Sequence, residues 1–318
     1  MNPVNPKHIN TLIEDVYELL CSPNEHIDEE HLDTSVKAAL DNIGKVFIKT
    51  IKREESLPSD REIGKYWASD LGTDCFRKLW YKFNIPDEAE TLLPHTLNKF
   101  MFGSLIEESV LMLAILAGHR VEGLQEVHEL NIGDDITVRG RTDAIIDGYI
   151  VDVKSCSSFA FKKYTKEKAI KKEDDNFGYR MQLGFYLAAN KTPGVSRDKG
   201  YFLLQDKTLG HLSLVEPEYG DDIKPDAIRQ RALDIHKAVS SKTPPPRLYR
   251  DVPEGKSGNK KLGVACSYCD FKHVCWPGLR TFIGYKGPVY LTEVKRVPRM
   301  VEVTNTNGEE SEAASEAA

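Results

Sequence analysis

The sequence lacks any apolar run near the roughly 20 residues that a membrane-spanning helix needs. Its first residues also lack the basic-then-apolar order of a secretory leader. We therefore expect a cytoplasmic, intracellular protein without a membrane partner. A G-x-x-x-x-G-K-[ST] phosphate loop is missing too, which excludes a nucleotide-driven motor within this chain. Internal repeats are absent. Positive charge is not in excess, for Asp and Glu outnumber Lys and Arg and the net charge is −6, so the overall balance does not advertise a nucleic-acid binder. Cysteine is scarce, with six in the chain, and an intracellular setting argues against structural disulfides.

What is present is a globular composition. The 318 residues can bury one large domain with extensions, and 3 Trp, 13 Tyr and 12 Phe supply large core side chains. Apolar residues recur at helical spacing in "INTLIEDVYELL" and "SVKAALDNIGKVFIKTIK", so residues 8–54 read as two or three helices appended to the main domain. Further helices are expected over 69–83, 96–118, 179–190 and 226–239, the second stopped by Gly118 and the third by Asn190 and Pro193. Strands are expected over 121–132 and 135–140, in "KGYFLLQD" and in "LGHLSLVEP". This order fits an α/β (α+β) fold built around one mixed central sheet.

Charge is unevenly spread. The tail "NGEESEAASEAA" and the stretch "NEHIDEEHLD" are acidic, and the tail reads as disordered. By contrast "FKKYTKEKAIKK" (161–172) holds six lysines in twelve residues, and a second basic stretch runs from 241 to 261.

The segment "GRTDAIIDGYIVDVKS" (140–155) reads as a β-hairpin around Asp147-Gly148, because both central positions of a type I′ turn need positive φ. That turn pairs Ile146 with Tyr149, Ile145 with Ile150 and Ala144 with Val151, and sets Asp143 opposite Asp152. Strand alternation then puts Asp143, Ile145, Ile150, Asp152 and Lys154 on one face, with Ala144, Ile146, Tyr149, Val151 and Val153 on the other. A strand apolar on both sides is normally buried, and buried charges need partners or a metal. Two carboxylates facing each other would repel without a cation. Hence a functional cluster is expected here rather than a solvated face.

A second constellation is "CSYCDFKHVC", a C-x₂-C-x₅-C set of Cys266, Cys269 and Cys275 with metal-ligand spacing. Cys75 is a suitable fourth ligand from elsewhere in the chain. His273 could replace it in a purely local zinc site. Cys21 and Cys156 read as packed thiols.

Asp143 followed by "VDVK", with Asp152 and Lys154, resembles the D…(D/E)xK signature of the PD-(D/E)xK nuclease superfamily, and within it the RecB-like branch. That branch carries a Gly-x-x-x-His helix upstream; here "GSLIE" puts Glu107 in place of the His, with Glu108 one residue away. It also carries a Gln-x-x-x-Tyr helix, matched by Gln182 and Tyr186 of "QLGFY", which share one helix face. One cysteine before the core and three after it resemble the iron–sulfur members, which include CRISPR-associated and helicase-linked exonucleases. The resemblance spans residues 66 to 280.

It implies a restriction-endonuclease-like fold with a nuclease domain at 61–284 closed by the four-cysteine cluster; the helical extension at 1–60 and the C-terminal segment with its acidic tail at 285–318 lie outside it. It further implies Mg²⁺ or Mn²⁺ held by Glu107, Asp143, Asp152 and the main-chain oxygen of Val153, with Lys154 beside the attacked phosphate. Gln182 would orient the lysine or the phosphate. With carboxylates around it, Lys154 should be charged and act electrostatically. The cysteines would hold a 4Fe-4S cluster, with zinc as the alternative.

The expected partner is DNA, single-stranded or at double-stranded ends, gripped through Lys162, Lys163, Lys166, Arg77 and Tyr186, with Trp80 and Tyr81 as further contacts. Such binding is salt-sensitive and blind to sequence. The N-terminal helices are expected to dock a replication or recombination protein or to line a DNA channel. The implied function is exonucleolytic end processing of DNA. A structure-specific endonuclease and a binding or assembly subunit with a silent site stand as alternatives.

Overall fold

A computed structural model of the protein describes residues 7–22, 27–52, 62–91, 94–133, 135–284 and 287–303. The acidic tail and part of the "NEHIDEEHLD" stretch lie outside these residues. By its internal contacts the chain divides into two units, one formed by Met1–Pro86 and Thr91–Pro244, the other by Asp87–Glu90 and Pro245–Ala318. Among the described residues no helix is long and apolar enough to cross a membrane.

The first unit opens with helices α1 (Leu12–Cys21) and α2 (Glu29–Lys52), strand β1 (Lys65–Trp67) and helices α3 (Ala68–Leu71), α4 (Phe76–Asn84) and α5 (Pro94–Leu116). Strands β2 (Val121–Glu122), β3 (Val127–Gly133), β4 (Ile136–Arg141), β5 (Ala144–Ile146) and β6 (Tyr149–Cys156) follow. The unit continues through α6 (Ser158–Glu167), β7 (Ala169–Ile170), α7 (Tyr179–Ala189), β8 (Gly200–Asp206), β9 (Leu212–Pro217) and α8 (Pro225–Val239). Gly118, at φ +85, follows the end of α5, as a residue free of Cβ can do at little cost.

The central sheet has six strands in the order β2-β5-β6-β8-β9-β7, and a second sheet has the order β1-β4-β3. β6 runs parallel to β8 along seven residue pairs from Ile150–Gly200 to Cys156–Asp206, β5 runs antiparallel to β2 and β6, and β9 runs antiparallel to β8 but parallel to β7. This is the mixed α/β architecture expected from the sequence.

The expected hairpin forms with the expected register: Ile146 pairs with Tyr149, Ile145 with Ile150 and Ala144 with Val151. Asp147 and Gly148 sit at φ 51 and 84, as a type I′ turn requires. Both faces are buried, each in its own core. Ile145 and Ile150 pack with Phe202, Leu204 and the α7 and α8 residues Leu183 and Ile228. Ala144, Ile146, Val151 and Val153 pack with Leu203, the α5 residues Val110 and Leu111, and Ile9, Leu12 and Val16. Helices therefore cover the sheet on both sides, which is why its central strands lack polar alternation.

The N-terminal helix α1 lies within this second core. A buried polar chain also fastens it: His119, fully buried at its side chain, has Nδ1 2.6 Å from Asp147 of the hairpin turn and Nε2 3.1 Å from Asp15 of α1. Cys21, expected to be packed, is exposed, because the last turn of α1 carries it away from the apolar face that Leu12 and Val16 define.

The second unit holds β10 (Val252–Pro253), β11 (Lys260–Lys261), α9 (Val264–Ser267), α10 (Lys272–Cys275), β12 (Arg280–Gly284), β13 (Gly287–Glu293) and β14 (Val301–Val303). Its five-stranded sheet, ordered β10-β11-β13-β12-β14, was not anticipated from the sequence. Gly284 pairs with Gly287 at the end of the β12–β13 ladder.

Candidate active site

The hairpin brings Asp143, Asp152 and Lys154 together. β5 stops at Ala144, so Asp143 stands just outside the strand ladder, and its Oδ2 accepts the Val153 N–H at 2.7 Å. Asp152 is 2% exposed, and its Oδ2 lies 2.5 Å from Lys154 Nζ. Apart from that ion-pair contact, Oδ2 takes part in no hydrogen bond of ordinary geometry among the described residues.

Glu107 reaches the same cluster from α5. One turn earlier, Gly103 sits against β6, where an added Cβ would meet Ser155 Oγ at 3.6 Å. The Glu107 carboxylate accepts a 2.6 Å hydrogen bond from Gln125 Nε2, and the Gln125 N–H donates to the carbonyl of Asp143. Gln125, held at φ 55, thus clips α5 to the mouth of the hairpin. Its position between two strands carries no sequence signal, and it was missed. Glu108, the one-residue alternative, instead accepts from Asn42 of α2.

Electrostatics bind these groups into one set. Burial pushes Glu107 up to about 8; the Asp143 charge adds to that rise and Lys154 opposes it. Asp143 is pushed up to about 7 by burial and by Asp152, against Lys154, the Val153 N–H and Arg141. Burial works against charge on Lys154, but Asp152 and Asp143 outweigh it and raise its pKa, so the ammonium is firmly protonated.

Lys154 Nζ also lies 5.1 Å from the centre of the Tyr179 ring, a cation–π contact that sequence reading missed. The spacing could have shown it, since Tyr179, Gln182 and Tyr186 fall at i, i+3 and i+7 on α7.

Gln182 and Tyr186 are linked to each other and to the backbone. Gln182 Nε2 donates to the Tyr186 hydroxyl at 2.8 Å, and that hydroxyl donates to the carbonyl of Arg141 at 2.8 Å, two residues before Asp143. Tyr186 is 2% exposed and presents no surface to a nucleic acid. On α6, Lys162 and Lys166 are exposed, whereas Lys163 pairs with Asp174 at 2.5 Å. Arg77 Nε lies 2.9 Å from the Tyr81 hydroxyl, and Trp80 donates its indole N–H to the Ser241 carbonyl at 2.8 Å. Cys156 donates to the Gln205 carbonyl at 3.6 Å, and burial followed by Asp206 pushes its thiol up to about 11, as suits a packed thiol.

A hard divalent cation is tested here by the donor set. Three carboxylates in mutual electrostatic contact, two of them with pKa values raised by burial and by neighbouring negative charge, and a buried carboxylate oxygen without a proper hydrogen bond fit such an ion. In the arrangement described Lys154 rests on Asp152, and among the described residues no three His, Cys, Asp or Glu side chains are set to hold a metal.

The same holds for the cysteines. All six are free of disulfides; Cys75 precedes α4 in the first unit, while Cys266 in α9, Cys269 and Cys275 at the end of α10 belong to the second. The half-buried thiols of Cys75, Cys266, Cys269 and Cys275 suit thiolate ligation chemically. His273 faces Glu90 at 3.6 Å.

A family model for the PD-(D/E)XK nuclease superfamily matches residues 13–276, and the chain belongs to that superfamily. The match begins inside α1. No curated protein matches the chain. Among solved structures, a chain from "Crystal structure of SSO0001" is similar at 18% identity with a TM-score of 0.44, over 74% of this chain and 95% of that chain.

Proposed function

We propose that the protein is an Mg²⁺- or Mn²⁺-dependent deoxyribonuclease that degrades DNA from its ends. The observation that carries this reading is the buried Asp152–Lys154 pair converging with Asp143 and Glu107 on the signature hairpin. Glu107, Asp143, Asp152 and the Val153 carbonyl would hold the ion, which when bound supplies charge neutralisation at the phosphate and a more acidic attacking water.

The rest is the work of the chain itself. Lys154, kept protonated by its two aspartates, offers a fixed positive charge to the oxygens of the attacked phosphate. The Val153 N–H and Gln125 orient Asp143 and Glu107. Tyr186, seconded by Gln182, holds the backbone at Arg141 and so the approach to Asp143. Because Glu107 and Asp143 both favour protons, acid should compete with the cation for them. Lys162 and Lys166 on α6 supply non-specific phosphate contacts.

Resemblance to the RecB-like branch supports exonucleolytic end processing over endonuclease cleavage. The spacing of Cys266, Cys269 and Cys275, with Cys75 as fourth ligand, supports a 4Fe-4S cluster before zinc.

The test uses anaerobically purified protein and end-labelled single- and double-stranded DNA, with Mg²⁺ or Mn²⁺, for wild type and Lys154→Ala. Metal-dependent release of label that is lost in the variant is expected. Salt-sensitive binding without hydrolysis under any condition would replace this reading with that of a binding subunit.

A further inference from the structure

Beside the lysine stands an aromatic side chain that neither core uses. Phe177 is 63% exposed and stacks on Tyr179, with ring centres 5.5 Å apart and planes inclined by 26°. The Tyr179 ring in turn lies 5.1 Å from Lys154 Nζ. An exposed phenylalanine alone needs no explanation. This one is the outer member of a stack whose inner member touches the charged group of the site.

The loop that carries it is built to stay in place. Gly178 crosses Gly72 so closely that a Cβ on Gly178 would meet Gly72 Cα at 2.2 Å, and Gly178 takes φ +71. The Asp175 carboxylate accepts the N–H groups of Tyr179 and Arg180 at 2.8 Å each, capping α7 immediately after Phe177. Asp174, next to it, ion-pairs with Lys163 and accepts from the Tyr164 hydroxyl at 3.4 Å, which ties the loop to α6. The same helix exposes Lys162 and Lys166 at i and i+4. Contacts therefore link the exposed ring of Phe177 to the site lysine through Tyr179, and its loop to the helix that exposes Lys162 and Lys166.

We propose that Phe177, propped by Tyr179, is a stacking platform for an unpaired base next to the scissile phosphate, so that the site takes single-stranded DNA in preference to duplex. This rests on the nuclease reading. A ring face offers every base the same π-contact, which suits sequence-blind binding. In a duplex the base faces are covered by their neighbours, so a ring beside the phosphate has nothing to stack on. A frayed or single-stranded end does.

The test is equilibrium binding of a fluorescent single-stranded oligonucleotide, its duplex and a single strand with one abasic position, in EDTA so that no hydrolysis intervenes. Wild type is compared with Phe177→Ala, Phe177→Leu and Phe177→Trp, with thermal unfolding measured on each. The expected result is single-strand binding roughly tenfold or more weaker for Ala and Leu, as loss of one stacked base implies. Trp should restore it, duplex binding should be unchanged, and an abasic site near the bound end should erase the difference.

Equal weakening of both DNA forms, or no weakening of either, would overturn the platform. Hydrolysis with Mg²⁺ or Mn²⁺ is then read separately on wild type. If it is absent while the binding pattern holds, the nuclease reading falls and the platform stands; if it is present while Phe177→Ala binds single strands normally, the platform alone falls.

Discussion

Replacing Glu107 with glutamine should make the metal-free protein more stable at pH 8, although the residue is proposed to be essential for activity. The Glu107 carboxyl is raised from 4.5 to about 8 by burial, by Asp143 and by its other acidic neighbours. A carboxyl that binds its proton more tightly folded than unfolded contributes stability fully below its unfolded value. That contribution is lost as pH rises through the folded value. The window is therefore pH 4.5 to 8, with Asp143 adding its own fall between 3.8 and about 7.

At about 1.4 kcal/mol per pH unit, the Glu107 rise sets a ceiling of about 5 kcal/mol. Partial solvent access and sharing of the field with Asp143 reduce the working figure to about 2 kcal/mol. Glutamine keeps the oxygen that accepts from Gln125 Nε2 and removes the charge. Urea unfolding in EDTA at pH 5, 6, 7 and 8 should show wild-type stability falling across the series and Glu107→Gln falling less. At pH 8 the two midpoints should differ by about 1 M, taking about 2 kcal/mol per molar. Millimolar Mg²⁺ should stabilise wild type and hardly affect the variant. A variant that is no more stable than wild type at pH 8 in EDTA would refute the reasoning, because Glu107 would then be comfortable as an anion without a cation.

Other outcomes follow from the same geometry. Lys154→Ala removes one partner of a pair whose other member is 2% exposed, so metal-free stability at pH 7 should fall by about 3 kcal/mol, read by urea unfolding. Tyr186→Phe strips the hydrogen bond to the Arg141 carbonyl and should cost about 1–2 kcal/mol, whereas Gln182→Ala, which supports only the tyrosine, should cost less and lower kcat less. A larger activity loss in Gln182→Ala than in Tyr186→Phe would mean that Gln182 meets the substrate. Asp147→Ala takes a partner from the buried His119 and a carboxylate from the Arg120 N–H, and should cost about 2–3 kcal/mol in thermal or urea unfolding. Anaerobic purification with metal analysis should give iron in wild type and its loss in Cys266→Ser. Zinc would leave the cysteines their ligand role with the other metal, and neither metal would end the cluster proposal.

Much of the site is legible in the sequence because its signals are local. The type I′ turn at Asp147-Gly148 needs two positive φ values, and a two-residue turn dictates every pairing above it, from Ile146–Tyr149 to Ala144–Val151. Strand alternation then sorts the side chains into two faces, and the two cores match that sorting residue by residue. The helical period likewise places Gln182 and Tyr186 on one face. The small strands of the second unit were not legible, because two- and three-residue strands such as β10, β11 and β14 carry no periodicity.

What only the tertiary structure decided are the contacts made by ends of side chains across long stretches of chain. Gln125 reaches Glu107, Tyr186 reaches the Arg141 carbonyl 45 residues away, and Asp15 meets His119 across 104. Whether helix α1 stands apart or joins the core depends on an apolar face finding a partner surface, and its own sequence says only that the face exists. The sequence by itself determined the hairpin, its register and the company that Asp143, Asp152 and Lys154 keep, since a turn and an alternation act over a few bonds. Packing decided which of those charges touch, and which ring lies beneath the lysine, because those distances are set by elements that meet only after the chain has folded.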